Sequence, residues 1–133
     1  MGVTPTTLED FTLEDRYTRT EGQVFLTGMS ALVRVLLDQQ RADRAAGLDI
    51  GTLVSGYPGS PIGGLDGELH RHRQYLQEQS IRFVPGLNED LAATAVFGAQ
   101  LAQAVPAPKH DGVVGMWYGK APGGDRSIDA FRH

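Results

Sequence analysis

Apolar positions along this chain alternate between two spacings. Met29, Leu32, Val33, Leu36 and Leu37 lie three and four apart, the spacing of one helical face, and predict a helix over 28–44 after the short apolar start Val24-Phe25-Leu26. Gly47 stands where a left-handed glycine would close that helix. Thr52-Leu53-Val54-Ser55-Gly56 is a compact apolar run bounded by glycines and predicts a buried strand. A Gly- and Pro-rich loop over 56–64, a polar helix over 65–79 and a second strand over 81–84 follow. Asn88, with Glu89 and Asp90 behind it, has the form of an N-cap and an acidic first turn, and predicts a helix reaching about residue 104. Residues 112–117 predict a third strand, 118–127 a loop, and 127–133 the opening of another helix. Strand and helix thus alternate, so the expected fold is α/β, a parallel sheet with helices on both faces joined by right-handed crossovers. Residues 1–20 have little period and are expected to form an irregular arm before a domain over 21–133. A sheet that stops there leaves an edge unpaired, and a truncated or split product is expected.

Composition narrows the classes of function. With 41% apolar residues, 21% charged residues and a net charge of −4, the chain has the make-up of a globular protein and no basic footprint for nucleic acid or an anionic membrane. It contains no cysteine, so it offers neither a thiolate metal site nor ligands for an iron–sulfur cluster. The sequence shows no signal-peptide pattern and no apolar run long enough to span a bilayer, so a cytoplasmic location is expected.

Several familiar chemistries fail on spacing. Gly115 to Ala121 approaches a phosphate-binding loop, but its glycines are one residue too close and Ala121 stands where a magnesium-binding hydroxyl is needed. His70 and His72 fall about 200° apart on a helix, too far around to chelate one ion, and read as a solvated face. Gly63, Gly64 and Gly67 follow two prolines and do not have dinucleotide-binding spacing. Ser60 has no histidine at a telling distance. What survives is Glu89. A carboxylate at a helix mouth beyond the carboxyl ends of parallel strands stands where such sheets bind ligands, although taken alone it is better accounted for by an N-cap and compensation of the helix dipole.

Three motifs taken together carry a resemblance. Gly56-Tyr57-Pro58-Gly59-Ser60-Pro61, then Pro85-Gly86-Leu87-Asn88-Glu89-Asp90-Leu91-Ala92, then Gly115-Met116-Trp117-Tyr118-Gly119-Lys120 with Asp125-Arg126-Ser127 resemble the N-terminal part of the indolepyruvate ferredoxin oxidoreductase family, over about residues 13–133. That family belongs to the thiamine-diphosphate-dependent 2-oxoacid:ferredoxin oxidoreductases. The resemblance implies a partial pyrimidine-binding domain in which Glu89 faces N1′ of the cofactor as the catalytic carboxylate. It further implies that Tyr57, Pro58, Gly59, Asn88, Gly119 and Lys120 line the cofactor, and that Ser60 and Arg126 lie near the 2-oxoacid. Magnesium, the diphosphate and 4Fe-4S clusters would be held by parts of the enzyme outside this chain, with no metal ligand here. Ferredoxin, coenzyme A and the remaining domains would be partners in a homo-oligomeric assembly that decarboxylates an arylpyruvate or related 2-oxoacid oxidatively to an acyl-CoA. The chain alone would be inactive. A non-catalytic binding module and a truncated gene product without function remain the alternatives.

Overall fold

The computed structural model describes residues 11–62 and 64–133. The first half of the expected N-terminal arm, and Gly63, lie outside the described residues. Along the chain run α1 (Asp15–Thr18), α2 (Gly28–Ala45), β1 (Ile50–Gly56), α3 (Gly64–Arg71), α4 (Arg73–Glu78), β2 (Ile81–Phe83), α5 (Glu89–Gln100), a 3₁₀ turn (Ala102–Ala104), β3 (Gly112–Tyr118), α6 (Ala121–Arg126) and α7 (Ile128–Arg132).

The three strands form a parallel sheet in the order β2-β1-β3. The chain leaves the central strand toward one side and returns past it to the other, so right-handed crossovers must lie on opposite faces. Accordingly α2 packs on β1 and α4 on β2, while α5 packs on β1 and β3. The sheet is therefore α/β with helices on both faces, as the alternating pattern predicts.

The core lies on the face toward α2. Val33, Leu36 and Leu37 of α2 meet Val54, Ile81 and Phe83 of the sheet, with Leu65, Leu69 and Leu76 closing the layer from α3 and α4. The apolar stripe expected on α2 is the buried one. Thr27 caps that helix by accepting from the Ser30 N–H at 3.2 Å, and Gly47 takes φ +77° beyond its end. Gln40 is the polar member of the stripe: its side chain donates to the Ile50 carbonyl and to the Thr52 hydroxyl, each at 2.8 Å, and so locks α2 onto the strand it precedes. The opposite face is thinner, with Ala92 and Ala93 the buried residues of α5.

Four expectations need correction. The second half of the arm is not irregular: residues 15–18 form a helical turn, and Tyr17 is only 2% exposed within the core. Arg34 donates to the carbonyls of Arg16 (2.8 Å) and Arg19 (2.7 Å), and Arg41 to that of Tyr17, so two arginines of α2 satisfy the carboxyl end of α1. The helix expected over 65–79 breaks at His72 into α3 and α4. His72 is not on a solvated face either, because its ring stands edge-on to Tyr17 at 4.6 Å and its Nε2 lies 3.3 Å from Glu68. Finally, residues 121–126 are helical where a loop is expected. Pro122 sits in the first turn, where its missing N–H costs nothing, and this outweighs the flexibility of Gly123 and Gly124.

Glu68 is the hub of this arm. It accepts from the Tyr17 hydroxyl and is flanked by Arg71 at 2.5 Å, His72 at 3.3 Å and Arg16 at 3.7 Å. Burial opposes its charge most strongly, but the Tyr17 hydrogen bond together with His72, Arg71 and Arg16 prevails and holds its carboxyl below the ordinary range. Burial, reinforced by Glu68, pushes the Tyr17 phenol up to about 12. A carboxyl with a lowered folded pKa stabilises the fold above the ordinary value of 4.5, and that contribution is lost as pH falls from there through the folded value. Urea midpoints of the wild type and of Glu68→Gln should therefore differ at pH 7 and converge below pH 4.5. A constant gap across that range would show that Glu68 does not titrate with the arm.

Candidate functional site

Because the strands are parallel, the loops after β1, β2 and β3 all open at one edge of the sheet, and the central strand ends where the two crossovers diverge. The first two loops are tied together. The Val84 N–H donates to the Val54 carbonyl at 2.9 Å and the Gly86 N–H to the Gly56 carbonyl at 2.8 Å, which prolongs the ladder beyond β2. Gly86 then passes under the start of α5, where a Cβ would come within 2.7 Å of Ala92 Cβ.

Asn88 and Glu89 divide their labour at that start. The Asn88 side chain accepts from the Leu91 N–H at 2.8 Å and is occupied as the N-cap. Glu89 is half-buried, and its backbone carbonyl accepts from Trp117 Nε1 at 3.2 Å. Its side chain lies on the backbone of Gly119 and Gly123: a Cβ on the first would meet Glu89 Cγ at 3.3 Å, and one on the second would meet Oε1 at 2.7 Å. No hydrogen bond or ion pair within the described residues engages its carboxylate.

Asp90, next to it, is fully engaged. One oxygen accepts from the Ser127 hydroxyl at 3.0 Å and the other lies 3.2 Å from Arg126. Buried Ser127 stands 2.7 Å from the Gly123 carbonyl as well, so Asp90 clamps the segment whose glycine faces Glu89. Arg126 is itself exposed and turned to Asp90. Lys120 is exposed ahead of α6, with no acidic partner within 4.0 Å among the described residues.

The other sequence motif forms a separate turn on the same edge. The Ser60 N–H donates to the Tyr57 carbonyl at 3.0 Å, Pro58 and Gly59 are exposed, and the Tyr57 ring covers Gly59 so closely that a Cβ there would lie 2.5 Å from it. Ser60 is buried, its oxygen 3.4 Å from the Ile62 N–H, as a turn serine does. Glu89, Gly119 and Asn88 are thus brought together, whereas Arg126 and Ser60 already have partners of their own.

The residues that brace this edge carry no sequence signal. Tyr118, the last residue of β3, lays its ring over Gly56 and donates to buried Asp66 of α3. Burial first, and then Asp66, push the Tyr118 phenol well above the usual tyrosine range. The second oxygen of Asp66 is buried without a partner. An aspartate in the first turn of a helix is unremarkable in sequence, and only the crossover brings it to the end of a strand some fifty residues away.

Among the described residues no group of three or more His, Asp or Glu side chains could hold a metal ion, and no helix is long and apolar enough to cross a membrane. Compared with models of known protein families, with curated proteins and with solved structures, the chain matches none.

Proposed function

We propose that this chain is the pyrimidine-binding, N-terminal part of a thiamine-diphosphate-dependent 2-oxoacid:ferredoxin oxidoreductase of the indolepyruvate type. The observation that carries the reading is the unengaged carboxylate of Glu89, held at the mouth of α5 on the carboxyl edge, against two glycines. A structural first-turn glutamate needs no such cradle. An acid near N1′ must have its oxygens free, and among the described residues none engages those of Glu89.

The cofactor, when bound, supplies a nucleophilic carbon that attacks the 2-oxoacid. Glu89 would share a proton with N1′ and so favour the tautomer from which that carbon is activated. Gly119 and the exposed turn at Pro58-Gly59 would admit the aminopyrimidine close to the backbone, with Tyr57 and Lys120 at the margin. Ser60 and Arg126 would serve the substrate carboxylate only by leaving Ile62 and Asp90. The diphosphate, magnesium, 4Fe-4S clusters, coenzyme A and ferredoxin would engage the rest of a larger assembly.

The test uses the chain as it is. Titration with 4-amino-5-hydroxymethyl-2-methylpyrimidine, the ring without its diphosphate, should shift the amide resonances of Glu89, Gly119 and Tyr57, and Glu89→Ala, which removes the hydrogen bond to N1′ altogether, should abolish the effect. Thiamine diphosphate with magnesium should bind no better than millimolar, since most of its polar contacts would be missing. Unmoved resonances at Glu89 and Gly119 would remove the reading, and micromolar affinity for the whole cofactor would contradict the division of the site between domains.

A further inference from the structure

We propose a second binding site, for a small phosphate monoester with an apolar body, in a cleft at the opposite, amino end of the sheet. The cleft encloses about 550 Å³, within the range of about 300–1,000 Å³ usual for small-molecule sites. Its floor is the α5 face of the sheet, apolar at Leu53 and Val113. Ile81 and Phe83 point into the core, so Arg82 between them projects from this other face, into the cleft. Lys109 and His110 enter from the loop before β3, which Gln103 fastens by donating to the His110 carbonyl at 2.7 Å.

The charges in this cleft are arranged for a dianion. His110 is held in place, its Nδ1 3.2 Å from Asp49, with the other edge of the ring over Gly51, where a Cβ would lie 2.8 Å from Cδ2. Arg82 and Lys109 have no carboxylate within 4.0 Å among the described residues. Ala99 brings the carboxyl end of α5 to the same cleft, where the helix dipole amounts to only about half a negative charge. Two unpaired cations therefore leave a surplus that a phosphate monoester, at about −1.5 to −2, neutralises better than a carboxylate can.

Backbone conformation points to the same place. Among the described residues two that are not glycine have positive φ, Ser80 at 62° and Ala107 at 53°. Ser80 lines the cleft, and Ala107 lies in the loop that delivers Lys109 and His110. Such conformations persist where surrounding structure enforces them, and they gather at ligand sites. Ser80 is enforced here by its carbonyl, which accepts from the Thr52 N–H at 2.9 Å.

The experiment is a titration of the whole chain with phenyl phosphate, followed by amide and side-chain NMR, with inorganic phosphate and phenol as separate controls. Saturable shifts are expected at Gly51, Leu53, Arg82 and Val113, at least tenfold weaker for either control. Replacing both exposed cations, Arg82→Gln with Lys109→Gln, should weaken binding at least tenfold. The pair Arg73→Gln with Arg132→Gln, exposed cations elsewhere, should not. Equal losses in the two pairs, equal binding of inorganic phosphate, or no saturable shift in the cleft would overturn the proposal. Because Glu89 lies at the other edge, Glu89→Gln should leave this titration unchanged, which separates its fate from that of the cofactor reading.

Discussion

On the function proposed above, Glu89→Gln in the assembled oxidoreductase should slow hydrogen–deuterium exchange at the thiazolium C2 by about 10²–10⁴, the usual contribution of a positioned acid–base group. Glutamine keeps the shape of the side chain in its cradle at Gly119 and Gly123, and one hydrogen bond, but it cannot pass a proton to and fro with N1′. Cofactor affinity should change little. If Glu89 served only the dipole of α5, the same change would cost a few tenths of a kcal/mol in stability and leave exchange untouched. Equal exchange rates in the two proteins would remove it from the mechanism.

The second large effect is expected behind the site. Tyr118→Phe deletes the one donor to the Asp66 side chain among the described residues and leaves that buried group without a partner among them. The expected loss is about 3 kcal/mol, at the upper end for an orphaned buried polar group. Against a total stability of about 5–15 kcal/mol, that is a large fraction. Adding Asp66→Leu to Tyr118→Phe should restore most of it, since removing both partners leaves nothing polar unsatisfied. Urea unfolding of the two single variants and the double variant gives the coupling. A Tyr118→Phe loss under about 0.5 kcal/mol would mean that solvent reaches Asp66.

Periodicity was a good guide where burial depends on a single face. The stripe of α2 and the apolar runs of the three strands follow from spacing, and the start of α5 from its Asn88 cap, because in each the signal lies within the element itself. It failed where long-range polar contacts decide. Tyr17 reads as one residue of a charged arm until Glu68, far along the chain, accepts its hydroxyl. Residues 121–126 read as a loop because Gly and Pro dominate them, yet Ser127 and Asp90 hold them as a helix against α5. At the site, the position of Glu89 was legible from the Asn88 cap. Its glycine cradle was not, since Gly123 lies more than thirty residues away and has no side chain to announce the contact. The cleft at the amino edge was silent for the same reason: Arg82 on the one hand, and Lys109 with His110 on the other, sit in two unremarkable local sequences.

The placement of β1 between β2 and β3 also sets the order in which the fold can complete itself on a ribosome. Once Gly56 has emerged, β1 can pair with β2 soon afterwards, but its other partner is not finished until Tyr118. At about 5–20 residues per second, the intervening stretch of about 60 residues keeps one side of the central strand open for about 3–12 seconds. Through that interval a nascent chain carries an apolar strand with an unpaired edge, and α5, the helix that will shelter it, lacks the β3 surface on which it settles. Holdase chaperones should engage chains stalled between residues 90 and 110 and release those extended past β3.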